Sequence, residues 1–431
     1  MTLLQRVAAC CALLLPLAAA PAPNLPNNAW NLVFVPSFET AESHPEHLSV
    51  EGLNHSLLFG QLLATVTAGL TPQLRQINAW ATPTASCGPA PEGTAALQSI
   101  EPYALLNNLG VNYSAVGCGG RADYNSAAYW ITNLLANQPQ GIYVFAMRAD
   151  SINALLPTLL PAEAQSVSIS GPHQYAVVTI AGGTANAAVF DDGLTPKREY
   201  PKLDLSDMKS GGSCPQTPTQ FKIQKPAKSP FALNRNQTVS FIRHVEAHPN
   251  DPFENGNYVC AGQWRALGAN KILKDKIGGL PDHILTTNPK DIIGCSGSCS
   301  YIRPTLTIEP FAVEYDRKVD IAEFPWSDAK TLAAALFTQN SPFSRSDYAN
   351  AKTLVAWEHV HIDDAIRYLI STIYQAPDAL KKLPSWSYTD YDTIWTIRID
   401  DKGDLYFSND CEGLDTARLP STCPAFTSAR H

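Results

Sequence analysis

The chain has 431 residues, 45% of them hydrophobic and 16% charged, enough apolar material for an ordinary core and enough length for two domains. That balance excludes a disordered chain and a multi-spanning membrane architecture. The formal net charge of −8, spread without long blocks, excludes nucleic acid as the main partner, because binding a phosphate backbone needs a basic surface.

The chain opens with one positive charge, Arg6, followed by an apolar run over 7–20 that ends in small residues. This is the layout of a signal peptide, too short for a comfortable membrane span, so residues 1–22 are expected to be removed on export to a secreted or periplasmic location. No membrane association is expected after removal. Loss of Cys10 and Cys11 leaves Cys87, Cys118, Cys214, Cys260, Cys295, Cys299, Cys411 and Cys423, an even number suited to four disulfides in an oxidising compartment. The short-range pairs are Cys87 with Cys118, Cys295 with Cys299 and Cys411 with Cys423, although eight cysteines allow about 105 connectivities. A zinc site at the cysteines is disfavoured, since the close pair Cys295 and Cys299 has no second pair at ligand spacing. Glycosylation sequons stand at Asn54, Asn112 and Asn236.

Further along, one plan occurs twice. Phe34-Val35-Pro36-Ser37-Phe38-Glu39 matches Phe241-Ile242-Arg243-His244-Val245-Glu246, each an apolar strand running into a polar loop. Gly52-Leu53-Asn54-His55 matches Gly262-Gln263-Trp264-Arg265 at the start of a helical stretch. Ser99-Ile100-Glu101-Pro102-Tyr103-Ala104 matches Thr307-Ile308-Glu309-Pro310-Phe311-Ala312 almost letter for letter. The strand Tyr143-Val144-Phe145-Ala146 matches Leu354-Val355-Ala356-Trp357, and a closing hairpin around Val178-Thr179-Ile180 matches one around Trp395-Thr396-Ile397. The expected organisation is two α/β domains, 28–205 and 238–431, each a mostly parallel sheet covered by helices. The Pro-, Gly-, Ser- and Lys-rich stretch 206–237 reads as a linker.

The chemistry concentrates in the second half. The strand before it delivers Arg243-His244 into a loop, Arg303 follows Tyr301-Ile302, and a late strand ends in Glu358-His359-Val360-His361. Open α/β sheets gather such residues at the carboxyl edge of their strands. Two histidines and two arginines there suit phosphoryl transfer, in which an imidazole attacks phosphorus and guanidiniums neutralise the spread negative charge.

This ordered set resembles the histidine phosphatase superfamily, also called phosphoglycerate-mutase-like, and the resemblance covers most of the second half. It implies that His244 is the residue phosphorylated, with Arg243, Arg303 and His359 as the phosphate pocket. Val245 stands where the family has glycine, a departure that limits backbone freedom. The proton donor is Glu323 or Glu358. No cofactor or metal is expected, and the partner is a small phosphorylated substrate. In the first half Pro36-Ser37 and Ala149 occupy the places of Arg243-His244 and His359, so that half reads as a degenerate copy with Glu39 and Arg148 as polar leftovers. Two other readings of the chain are a non-catalytic secreted binding protein and a metallohydrolase built on His244, Glu246, His248, Glu358, His359 and His361. A mutase would use the same phosphohistidine.

Overall fold

The computed structural model describes residues 23–70, 73–81, 93–115, 123–160, 167–202, 214–248, 254–295 and 297–425. The leader expected at 1–22, Cys87 and Cys118 lie outside the described residues.

In the first half, β1 (Trp30–Pro36) leads to α1 (Val50–Val66), β2 (Leu74–Ala81), α2 (Ala95–Leu106), β3 (Asn112–Ala115), α3 (Tyr124–Asn137), β4 (Gly141–Met147) and α4 (Ala149–Leu159), and closes with β5 (Gln174–Ala181) and β6 (Thr184–Asp191). β4 is buried along its whole length and β1 along nearly all of it, as strands covered on both faces must be, and both read as continuous apolar runs. Helix starts carry their own signals: Ser49 caps α1 by accepting from the Gly52 amide, and Asp123 caps α3 through the Ser126 amide. The β5–β6 hairpin turns through Gly182 and Gly183, at φ 58° and 82°, conformations that favour glycine.

The second half runs from β7 (Gln220–Ile223) and β8 (Gln237–Arg243) through α5 (Cys260–Gly268), α6 (Asn270–Lys276), β9 (His283–Thr286), the small hairpin β10 (Ile292–Cys295) and β11 (Gly297–Ser300), and α7 (Arg303–Tyr315). It continues with β12 (Asp320–Ile321), α8 (Ala329–Phe337), β13 (Lys352–Trp357), α9 (His359–Tyr368), β14 (Thr393–Ile399) and β15 (Leu405–Cys411). The first sheet has the order β3-β2-β4-β1-β5-β6, and the second has β12-β9-β13-β8-β14-β15 with β7 added at the far edge. In each, the inner pairs are parallel and the last hairpin runs antiparallel to the first strand.

Part of the stretch read as a linker belongs to the second sheet. β7 pairs with β15, Cys214 is joined to Cys411, and the buried Gln216 accepts from the Trp395 indole at 2.9 Å. Its low apolar content reflects an edge strand, which needs only one partner and one covered face. Cys295 pairs with Cys299 as expected, but Cys411 and Cys423 do not pair with each other; Cys423 reaches Cys260. The sequon at Asn54 is buried, its side chain bound to the Glu199 carbonyl and the Lys197 amide.

One apolar cluster spans the two halves, with Val245, Tyr258, Ala266, Ile302 and Leu306 packed among Val35, Phe38, Ile100 and Tyr103. Two buried glutamates cross this contact in opposite directions. Glu101 of α2 accepts from Gln263 at 3.0 Å, and Glu309 of α7 accepts from Thr94. Burial pushes the Glu101 carboxyl up to about 8 despite the bonds from Gln263 and Tyr258, and burial raises Glu309 too.

Between the unfolded value near 4.5 and about 8, the folded state therefore holds a proton at Glu101 that the unfolded chain has released. This contribution is present below that window and is lost as pH rises through it. Glu101→Gln is expected to stabilise the protein at pH 8 by ~1–3 kcal/mol and to flatten the fall in stability from pH 5 to 8, measured by denaturant unfolding at several pH values.

Candidate active site

β13 lies parallel to β8 with Trp357 opposite Arg243, and the His244 amide donates to the Trp357 carbonyl at 2.9 Å. Both strands thus end at one edge, where His244 leaves β8 and Glu358-His359 open α9. Arg303 arrives at the first turn of α7, whose start is fixed by Pro304, a residue that loses nothing at a position without a helical amide bond.

His244 is 2% exposed. Its Nδ1 lies 2.8 Å from the Val245 carbonyl, which can only accept, so Nδ1 carries the proton and Nε2 keeps its lone pair. Burial, followed by the positive charges of Arg303 and Arg243, holds this imidazole well below its usual range. It is an imidazole held neutral and fixed in orientation.

Arg243 donates to the carbonyls of Tyr388 and Asp390 and lies over the Tyr391 ring at 4.0 Å. Arg303 lies over Tyr301 at 4.9 Å and gives one Nη to both oxygens of Glu254 at 2.7 Å. The His359 ring meets Tyr388 at 5.8 Å, and its Nδ1 lies 2.6 Å from Glu358 without hydrogen-bond alignment. Arg243 Nε, Arg303 Nε, the Tyr301 hydroxyl and His359 Nδ1 are all buried and unsatisfied among the described residues. Such groups are costly to leave unpaired, and a site with several of them beside a neutral imidazole suits an anion with several oxygens.

The two donor candidates sit differently. Burial would raise Glu358, but the imidazoles of His359 and His361 lying against it outweigh burial and hold the carboxyl far below the usual range. It also caps α9 by accepting from the His361 amide at 3.0 Å. Glu358 is therefore a fixed carboxylate. Glu323 is exposed, two residues past β12, which parallels β9 on the same sheet. Trp326 lies 4.7 Å from the Tyr301 ring and 4.8 Å from His361. Asp291 binds the Trp326 amide at 2.8 Å, with its carboxyl raised by burial.

Val245 sits at the glycine position without a left-handed backbone. Its side chain fills the contact between the halves, and its amide donates to Thr307 at 3.0 Å. The glycine that matters nearby is Gly262, where a Cβ would stand 2.4 Å from the Glu246 carbonyl. Glu246 itself binds Arg265, a 1% exposed guanidinium that also meets Asp392 and Glu412 at 3.1 and 2.8 Å. His248 reaches across to Asn108 at 2.7 Å. Of the six residues of the metallohydrolase reading, Glu246 is held by Arg265, His248 by Asn108 and His244 by the Val245 carbonyl, while Glu358, His359 and His361 meet one another; the His and carboxylate group at ligand spacing among the described residues is Glu39, His55 and His173.

In the first half, the Ser37 amide meets the Met147 carbonyl at 2.8 Å, the contact His244 makes with Trp357, and Ala149 opens α4 as His359 opens α9. Arg148 is exposed and pairs with Asp150. Glu39, in contrast, belongs to a cluster with His55, His173 and Asp192.

The sequence missed Tyr301, Tyr388, Tyr391 and Glu254 as parts of this site. Tyr301 alone was signalled, by its position two residues before Arg303. The other three lie in loops without periodicity and are brought in only by the closed fold.

No family model matches the chain, and no curated protein matches it. Among solved structures it is similar to a putative phosphohistidine phosphatase SixA from Agrobacterium tumefaciens, at 14% identity and TM-score 0.26, over 38% of this chain and 91% of that one. An alpha-ribazole phosphatase from Shigella flexneri is similar at 14% identity and TM-score 0.26, over 41% of this chain and 98% of that one. A phosphoserine phosphatase from Entamoeba histolytica is similar at 16% identity and TM-score 0.26, over 41% of this chain and 99% of that one. All three neighbours are named as phosphatases.

Removing the charge of Arg265 would leave three buried carboxylates around the loop that carries His244. Arg265→Ala is expected to cost ~3–5 kcal/mol in denaturant unfolding, with Arg265→Lys recovering part of the loss.

Proposed function

We propose that the protein is a histidine phosphatase that hydrolyses a small phosphomonoester through His244. The observation that carries this reading is the neutral His244 imidazole, its Nδ1 fixed on Val245, beside buried and unsatisfied donors of Arg243, Arg303 and Tyr301. In the first step Nε2 attacks phosphorus, a P–N bond forms, and the bond to the leaving oxygen breaks. In the second, water attacks the phosphohistidine, the P–N bond breaks, and phosphate leaves. The guanidiniums and His359 stabilise the charge spread over the equatorial oxygens in both steps.

The leaving oxygen needs a proton. The donor in this reading is Glu323, in the segment after β12, with Glu358 holding His359 and the start of α9. The same carboxylate then takes the proton from the attacking water.

The matching strand orders support a tandem duplication, in which the first half is a copy without its nucleophile. An oxidising, extracytoplasmic compartment fits the Cys214–Cys411 and Cys260–Cys423 bonds, which tie distant segments, and it fits the apolar N-terminal run. A second reading, a non-catalytic phosphate binder, draws on Glu254, whose two oxygens both meet one Nη of Arg303.

Hydrolysis of 4-nitrophenyl phosphate should vanish in His244→Ala, with a loss of ~10³-fold or more, and fall ~10²–10³-fold in Arg303→Ala. A folded wild-type protein that binds phosphate without turnover would favour the second reading. Because His244 titrates below 6.5, kcat/KM should be lost only as pH falls below that value; an acid limb centred above it would oppose the assignment. Glu323→Gln should slow an alkyl phosphate ~10²-fold or more and spare the nitrophenyl ester, whose leaving group needs no proton. If Glu358→Gln shows that selectivity instead, the donor assignment is reversed.

A further inference from the structure

The cage around Arg265 has a counterpart in the first half whose chemistry has changed. The backbone fixes the correspondence. The Ser49 amide donates to the Glu39 carbonyl as the Val259 amide does to that of Glu246, and the Asp192 amide donates to the His173 carbonyl as the Glu412 amide does to that of Asp392. A Cβ on Gly52 would strike the Glu39 carbonyl as one on Gly262 would strike that of Glu246. Glu39, His55, His173 and Asp192 thus stand where the second half has Glu246, Arg265, Asp392 and Glu412. The carboxylates at the first and last positions remain, while a guanidinium and a carboxylate have both become imidazoles.

The imidazoles are shared between two carboxylates. His55 Nδ1 lies 3.0 Å from Glu39 and its Nε2 lies 2.8 Å from Asp192. His173 Nε2 lies 3.7 Å from Glu39 and its Nδ1 lies 3.4 Å from Asp192. The rings stack at 4.8 Å, and one ligand atom each from Glu39, His55 and His173 falls within 4.8 Å of the others. For bonds of ~2.0–2.1 Å, the edge of a tetrahedron is about 3.3 Å, close to these separations. At the centre of the second-half cage stands a guanidinium, which offers no lone pair and repels a cation.

We propose that Glu39, His55 and His173 bind a divalent transition-metal ion of the zinc type. His55 Nδ1, His173 Nε2 and a Glu39 oxygen are the ligands. Asp192 accepts the N–H of both rings from the opposite side, the carboxylate-to-histidine support that orients imidazole ligands. The ion balances two carboxylates that His55 alone would leave with excess negative charge. His173 is 45% exposed at its side chain, so the fourth position opens to water. The ion joins the loop after β1, the buried face of α1 and the β5–β6 hairpin, a structural role in the half that lacks the nucleophile.

The test uses untagged full-length protein, stripped with a chelator and titrated with Zn²⁺ and Co²⁺ at pH 7.5. One ion per chain is expected, with a rise in Tm and a tetrahedral Co²⁺ absorption spectrum. His173→Ala, at an exposed position, should keep the metal-free Tm and weaken binding ~100-fold or more, and Asp192→Asn should weaken it ~10–100-fold. His244→Ala should bind zinc as the wild type does, so failure of the phosphatase reading leaves this one intact. Binding well below one ion per chain, or equal binding by His173→Ala, would overturn the proposal in favour of a protonated His55 bridging two carboxylates.

Discussion

The parallel pairing of β13 with β8 is the constraint on which the site depends. Trp357 stands opposite Arg243, so the next residue of each strand leaves the sheet at the same edge, and His244 is tied by its amide to the Trp357 carbonyl. A shift of that register by one residue would send the side chains at the strand ends to opposite faces. The register is held by buried residues on both strands, among them Phe241, Val355 and Trp357. From there, the tautomer of His244 follows from one carbonyl, and its neutrality follows from burial and two neighbouring cations. Arg303 depends on a different element, the first turn of α7, and is positioned by Pro304 and the Tyr301 ring.

The same strand order serves two chemistries in the two halves. Behind the His244 loop lies a guanidinium with three carboxylates, a permanently charged group paired with Glu246, Asp392 and Glu412. Behind the Ser37 loop lie two imidazoles with two carboxylates, a set whose charge depends on protons or on a bound cation. The halves are also interlocked, since Val245, at the glycine position of the resemblance, contributes its side chain to the core they share. The first half therefore supports the loop that carries His244.

Much of this was legible in the sequence because it is local. The strands around Phe34, Tyr143, Phe241 and Val355 are apolar runs, and the Ile-Glu-Pro helices repeat almost unchanged. His244 and His359 could be placed together because each follows a strand. What escaped depends on closure of the chain. β7 contributes one edge and reads as linker, and the partners of Cys411 and Cys423 stand 197 and 163 residues away. Tyr388, Tyr391 and Glu254 lie in loops, and His173 lies 118 residues beyond His55, so neither spacing nor periodicity links them. Glu358 was a donor candidate by its place beside His359, and two histidines against one carboxylate hold it below its usual range.

The central claim is that His244 forms a covalent bond to phosphorus. The most direct measurement is rapid mixing of the protein with a radiolabelled phosphomonoester, alkaline quenching, and mapping of the labelled peptide. The account predicts a label that survives alkali, is lost in acid, lies on the peptide containing His244, and is absent in His244→Ala. A protein that turns the substrate over while carrying no label, or a label on another residue, would contradict it.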